Sequence, residues 1–295
     1  MTVQAKPCFI TLQLPSGSFK VKHRFGHIVD PTDKRDFDYC ATLSMPYGSL
    51  SVPYGIDIKS PVSIDLTEYF RPISDQLQFP SCTANACADT WEAVIAIDKV
   101  INKRMSLSYA VSSTPDMSRM FMWWNGRREM DPDQSWNPDS GCYNRLVVDS
   151  LARFGAATEA TWPYIVENAT RRPSLRAYRE AVGYVCGNYY AITGSGSSRK
   201  AALISALTNK HPVVFGTAVE KSFLEYRGGI VPIPSTEIIG LHAMAVVGYD
   251  STKAAFRVRN SWSQYWGEDG YCWLAEEYVL NPCSNSFWVM TRGFA

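Results

Sequence analysis

No run of basic residues, no long apolar span and no paired-cysteine zinc motif occurs in these 295 residues. Each absence removes a class of function. Lys plus Arg total 29 against 28 for Asp plus Glu, a net charge of +1. With no basic stripe interleaved with aromatics, nucleic acid is not an expected partner. No apolar stretch approaches the ~20 residues that cross a bilayer, so no membrane association is expected. The start, Met1-Thr2-Val3-Gln4-Ala5-Lys6-Pro7-Cys8, lacks the basic head and apolar centre of a secretory signal. The default expectation is the cytoplasm, with non-classical export left open. The eight cysteines are scattered, and no Cys-x-x-Cys pair has a second pair to complete a zinc site. No metal or organic cofactor is expected.

What is present describes an ordinary folded protein: 46% hydrophobic and 19% charged residues, in a chain long enough for a large buried core. Residues 1–58 stand apart. They carry Pro and Gly punctuation (Pro15-Ser16-Gly17, Pro46-Tyr47-Gly48, Pro53-Tyr54-Gly55) and the charged run Asp30 to Asp36. Helical periodicity is missing, and only Phe9 to Leu14 has strand composition. This segment reads as an extended arm. Residues 59–295 read as the compact body. Cys82 to Ile101 is the strongest helix, apolar on most sides and so expected to run through the interior. Further helices are expected around Met117 to Trp124 and over Asn144 to Phe154, the latter stopped by Gly155. After Trp162-Pro163-Tyr164 one more helix is expected, Arg199 to Thr208. Strands follow over Pro212–Val219, Ala243–Tyr249, Ala255–Asn260, Tyr271–Leu274 and Phe287–Thr291. The loop Gly194-Ser195-Gly196-Ser197-Ser198 lacks the Gly-Lys-Ser/Thr ending of a phosphate loop and reads as a flexible entry capped by Ser197 or Ser198. A helical first half and a strand-rich second half give an α+β protein in two lobes.

The chemistry gathers around Cys82, where a loop ends and a helix begins. Peptide dipoles at a helix start favour the thiolate, the nucleophilic form. Only four histidines exist, and His242 is the one that sits on a strand in the body of the domain. Asn260 ends the next strand across a short hairpin, which brings it to the same sheet edge as His242. Its side-chain oxygen can hold the imidazole in orientation. Gln76, six residues before Cys82, can aim its amide at an oxyanion together with the Cys82 main-chain N–H. Thiol, imidazole and orienting amide in that chain order form the pattern of a cysteine peptidase triad.

The motifs carry this further. Gln76 with Cys82, Asn260-Ser261-Trp262-Ser263, Trp266-Gly267-Glu268-Asp269-Gly270-Tyr271 and Tyr226-Arg227-Gly228-Gly229-Ile230 resemble the papain family of cysteine peptidases over about residues 60–295. The resemblance implies a helical lobe (mainly 80–180) and a β-barrel lobe (mainly 185–295 plus the start of the domain), with the cleft between them. It implies catalytic roles for Cys82, His242, Asn260 and Gln76, and a shielding role for Trp262 over the His242–Asn260 hydrogen bond. Leu241 and Gly141 become candidate substrate-binding residues. Phe79 stands where the family usually has a cysteine, whose habitual partner is matched by Cys142. Thr83 replaces a Trp, and Tyr143-Asn144 replaces the usual Gly-Gly. The Ser-Cys-Thr-Ala-Asn-Ala form is similar to a bacterial branch with a short N-terminal extension.

The expected activity is hydrolysis of peptide bonds in a peptide or protein substrate by a monomer, through an acyl-enzyme. The arm is a candidate intramolecular inhibitor that makes the enzyme a zymogen. Two alternatives share the residues: an inactive binding protein on the same fold, and a Cys-dependent peptidyl or acyl transferase.

Overall fold

The computed structural model describes residues 8–14, 17–39, 63–131, 133, 137–235 and 237–292. The expected junction of arm and body, within 40–62, lies outside the described residues.

A hairpin opens the chain, strand β1 (Cys8–Leu14) antiparallel to β2 (Gly17–His23). The sequence pointed to the first strand alone. β3 (His27–Ile28) follows, then β4 (Ser63–Asp65). Helix α1 (Cys82–Ile101) has the bounds its periodicity gives, and residues 82–97 are all buried. It is apolar on most sides because two cores meet on it. Ala93 and Ile97 join the core of the sheet, whereas Cys87, Trp91, Val94 and Ile95 join the core of the helices. α2 (Leu107–Ser112) and α3 (Arg119–Met130) pack alongside. α3 starts two residues later than the sequence indicated, because the Ser118 hydroxyl caps it by accepting from Phe121 N at 3.0 Å. β5 (Cys142–Tyr143) leads into α4 (Asn144–Phe154), which ends at Gly155 with φ 77°. A Cβ there would lie 1.8 Å from Ala181 O, so glycine is needed for both conformation and space.

Beyond Trp162 the expectation of a single further helix is corrected. α5 (Leu175–Ala181), α7 (Lys221–Leu224) and α8 (Glu276–Leu280) accompany α6 (Gly196–Thr208). Each of the three is too short to print a helical period on the sequence. α6 also starts earlier than expected. Ser195 holds the N-cap position without a side-chain bond, so neither Ser197 nor Ser198 caps it.

The strands β6 (Asn188–Ala191), β7 (Val213–Glu220), β8 (Ile230–Val231), β9 (Ile238–Asp250), β10 (Ala255–Arg259), β11 (Tyr271–Ala275) and β12 (Ser284–Thr291) build the second lobe. Its eight-stranded sheet runs β6-β12-β7-β9-β10-β11-β8, with β4 also paired to β9. Every residue of β7 is buried, because α1 and α6 both pack on the β7–β9 region. β9 and β10 pair antiparallel through the turn at Asp250, whose carboxylate accepts from Thr252 N and Lys253 N. The architecture is the α+β, two-lobed one that the sequence indicates.

Candidate active site

Cys82 is the first residue of α1 and is fully buried. Its loop is held by packing. Phe79 meets the rings of Trp123 and Tyr164 at 5.9 and 5.6 Å. The Ser81 hydroxyl meets Tyr164 Oη at 2.5 Å, and Asn85 Nδ2 donates to Ser81 O at 2.9 Å. Phe79 thus does by aromatic contact what a disulfide would do at that position. Cys82, Cys87, Cys142, Cys186, Cys272 and Cys283 are all free thiols.

His242 lies on β9, opposite Thr217 of β7. Asn260 directly follows β10, whose last residue, Arg259, pairs with Ala245. The hairpin therefore returns Asn260 to the His242 end, and His242 Nε2 donates to Asn260 Oδ1 at 2.7 Å. The same oxygen accepts from Ser261 N at 2.8 Å, which fixes the amide with its oxygen toward the ring. Trp262 stacks on the imidazole at 4.5 Å between centroids, 25° from parallel, and is itself fully buried. That indole keeps water from the His242–Asn260 bond. Ala243, the next residue after His242, gives a main-chain hydrogen bond to the Cys82 thiol, so the two lobes meet at the thiol.

Gln76 is fully buried and fixed at both ends. Its Oε1 accepts from Ser261 Oγ at 2.8 Å and from Trp262 Nε1 at 3.2 Å. Its Nε2 must therefore face the cleft, where it donates to Arg24 O at 2.9 Å and Phe79 O at 3.0 Å. Cys82, His242, Asn260, Gln76 and Trp262 are thus brought together at one place.

The sequence left one occupant of this place unread. Residues 24–28 run through the cleft. Phe25 is buried edge-on against His242 (5.9 Å) and Trp262 (6.1 Å), over Gly240. Gly26 makes a main-chain hydrogen bond to the Cys82 thiol, and Gly26 O accepts from Cys142 N at 2.8 Å. A Cβ on Gly26 would lie 1.8 Å from Pro80 O, and one on Gly141 would lie 2.2 Å from Gly26 O. β3 pairs parallel with β5. Of the pair that replaces the usual Gly-Gly, Tyr143 stands opposite Ile28 in this pairing, next to Cys142 opposite His27, and α4 begins at Asn144. Leu241, half-buried, pairs with Ala218 of β7. Burial under this segment pushes the Cys82 thiol up to about 11, against the lowering main-chain bonds from Ala243, Gly26 and Thr83. The thiolate that the helix start favours is therefore suppressed while the arm is in place.

The arm is anchored between residues 24 and 39. Arg24 pairs with Asp139. Asp30 accepts from Trp288 Nε1 at 2.6 Å and from Arg145 N, and the Arg145 side chain reaches Asp36 (2.6 Å) and Asp33 (3.0 Å). Tyr39 is fully buried against Tyr190 and His211. Arg-Phe-Gly-His at 24–27 was the available signal: a large apolar residue directly before a glycine.

The family model for papain family cysteine protease matches residues 127–287, more than half of the chain. The crystal structure of xylellain, a cysteine protease from Xylella fastidiosa, superposes with a TM-score of 0.71 at 30% identity, covering 92% of this chain and 96% of that one. An uncharacterized peptidase C1-like protein of Acanthamoeba polyphaga mimivirus is 28% identical over 92% of this chain and 87% of its own. A cathepsin L-like proteinase of Fasciola hepatica is 28% identical over 77% of this chain and 64% of its own. Motifs, lobes and a superposition spanning nearly the whole chain agree, and the chain belongs to the papain family of cysteine proteases.

Proposed function

We infer that this cysteine endopeptidase works through Cys82, His242 and Asn260, with Gln76 as oxyanion donor, and that its own arm holds it latent. The observation that carries this reading is the hydrogen bond from Gln76 Nε2 to Arg24 O. A peptide carbonyl rests on the amide that would receive the oxyanion of a substrate.

In the open enzyme His242 takes the thiol proton at Nδ1, since Nε2–H is committed to Asn260 Oδ1. The sulfur adds to the substrate carbonyl carbon, and the charge moves to the oxygen facing Gln76 Nε2 and the Cys82 N–H. The tetrahedral species collapses as His242 gives its proton to the leaving amine, which leaves a thioester. Water, deprotonated by the same nitrogen, releases the acid and restores the thiol. Asn260 positions the ring, and Trp262 keeps that bond dry.

The closed state supports latency through the register of the arm. The Cys82 sulfur takes a main-chain hydrogen bond from Gly26, so the arm occupies the space in front of the nucleophile where a substrate would lie. Gly141 and the Cys142 N–H then serve as the ledge on which a substrate backbone lies. Two comparisons test the reading. A form beginning near Ser60 should cleave a peptide faster than the full chain, and equal rates would sink latency. Cys82→Ala should abolish both cleavage and alkylation at that position, whereas Cys87→Ala should keep both. A fully active Cys82→Ala variant would end the mechanism.

A further inference from the structure

One residue beyond the glycine on the sulfur, His27 is buried to 5% exposure in a pocket built from the sheet lobe. Its ring lies on the backbone of Gly216 in β7, where an added Cβ would stand 1.9 Å from Nε2 and 2.2 to 2.4 Å from Cδ2 and Cε1. Any residue but glycine at 216 would fill the space. At the tip of the ring, His27 Nε2 lies 2.9 Å from Asn285 Oδ1. The amide is fixed in that orientation. Ser286 Oγ donates to the same oxygen at 3.0 Å, and Asn285 Nδ2 points to Cys283 O at 3.5 Å. The pocket therefore presents an acceptor and no donor. The ring accordingly carries its proton on Nε2, and among the described residues His27 Nδ1 has no hydrogen-bond partner.

The pocket opens on the cleft, because the preceding residue, Gly26, touches the Cys82 sulfur and the Cys142 N–H. When the arm leaves, a substrate side chain inherits the space. We propose that Gly216 and Asn285 make this subsite select a flat ring with one N–H donor at its tip, a neutral histidine side chain of the substrate. The proposal rests on the peptidase reading above and adds its substrate class. A leucine fills the volume but leaves Asn285 Oδ1 with only the Ser286 bond. A phenol of tyrosine would carry its hydroxyl past the point where Asn285 Oδ1 already stands. A protonated imidazole would bring a second donor and a charge into a buried site whose other side offers no acceptor.

The test measures kcat/KM of the full chain on peptides that move one histidine, or one leucine, through four positions on each side of the cleaved bond. All peptides compete with the same arm, so the histidine-to-leucine ratio does not depend on how much enzyme is open. At one position histidine should win about fivefold, the ratio for one neutral hydrogen bond. Asn285→Leu should erase that preference and leave the other positions unchanged. Gly216→Ala, whose new methyl has three His27 ring atoms as its nearest neighbours, should lower cleavage of both peptides at that position and spare one bearing alanine there. Equal cleavage of histidine and leucine peptides at every position overturns the proposal, as does a preference that survives both variants. Cleavage of no peptide by either the full chain or a form beginning near Ser60 is a different result, and it overturns the peptidase reading on which the proposal stands.

Discussion

Replacing Gly26 with alanine places a methyl carbon 1.8 Å from Pro80 O and 2.3 Å from Pro80 C. Both are main-chain atoms, in a loop pinned by Phe79 against Trp123 and Tyr164, so the loop has little room to yield. The arm must move instead. Withdrawing it breaks the Gln76–Arg24 and Cys142–Gly26 bonds, each worth about 1 kcal/mol net. It also exposes Phe25, whose burial contributes roughly 1.5–3 kcal/mol. Together these are roughly 4 kcal/mol of docking, on the order of a thousandfold in the closed-to-open ratio. The alanine leaves every atom of the catalytic group in place. Initial rates on a fluorogenic peptide and alkylation rates of Cys82 should therefore both rise at least ~10-fold in the full-length variant, as the closed population falls. Wild type and Gly26→Ala with equal rates in both assays, and both slower than a form beginning near Ser60, would refute the argument that the arm fits only because residue 26 is glycine.

Gln76→Leu should lower kcat by about 10²–10³ through loss of the oxyanion donor. It should also cost roughly 1–3 kcal/mol in urea unfolding, because Ser261 Oγ and Trp262 Nε1 lose their acceptor. Phe79→Ala removes a buried ring from the nucleophile's loop and should cost about 3–5 kcal/mol of stability in the same assay. The arm's response to pH follows from two opposed groups. Burial raises the docked Asp30 carboxyl to about 6 against 3.8 ordinarily, so its contribution to docking is full below 3.8 and lost as pH rises through 6. Burial lowers docked His27 to about 4 against 6.5, so its contribution is full above 6.5 and lost as pH falls toward 4. In the wild type these nearly cancel. Asp30→Asn leaves the histidine alone, so the ratio of variant to wild-type Cys82 alkylation rates should grow on going from pH 6.5 to 4, by roughly 100-fold at most. A ratio flat with pH would contradict the assignment.

Periodicity carried the sequence reading where elements were long. α1 and α4 were legible residue by residue, and the β9–β10 hairpin predicted that His242 and Asn260 would meet. The oxyanion role of Gln76 rested on its distance from Cys82 along the chain. Its second function, bracing Ser261 and Trp262 across the cleft, needed coordinates. The five-residue α8 and the two-residue β5 have no period to read, and β5 is where β3 of the arm pairs. The arm was legible as extended and proline-rich. Its register was not, because it depends on long-range fits: Gly26 against Pro80, His27 on Gly216, Tyr39 beside His211. Proximity of Cys82 to a helix start was legible too, but the burial that raises its pKa to about 11 was not.

The central claim is that Cys82 alone is the nucleophile. Incubating the protein with a covalent thiol-peptidase inhibitor until activity is gone, then locating the adduct by mass spectrometry, tests it most directly. The account predicts one adduct per chain, on Cys82, with Cys87, Cys142, Cys186, Cys272 and Cys283 unmodified. Burial raises the pKa of each of these other thiols. Loss of activity with Cys82 unmodified would contradict it.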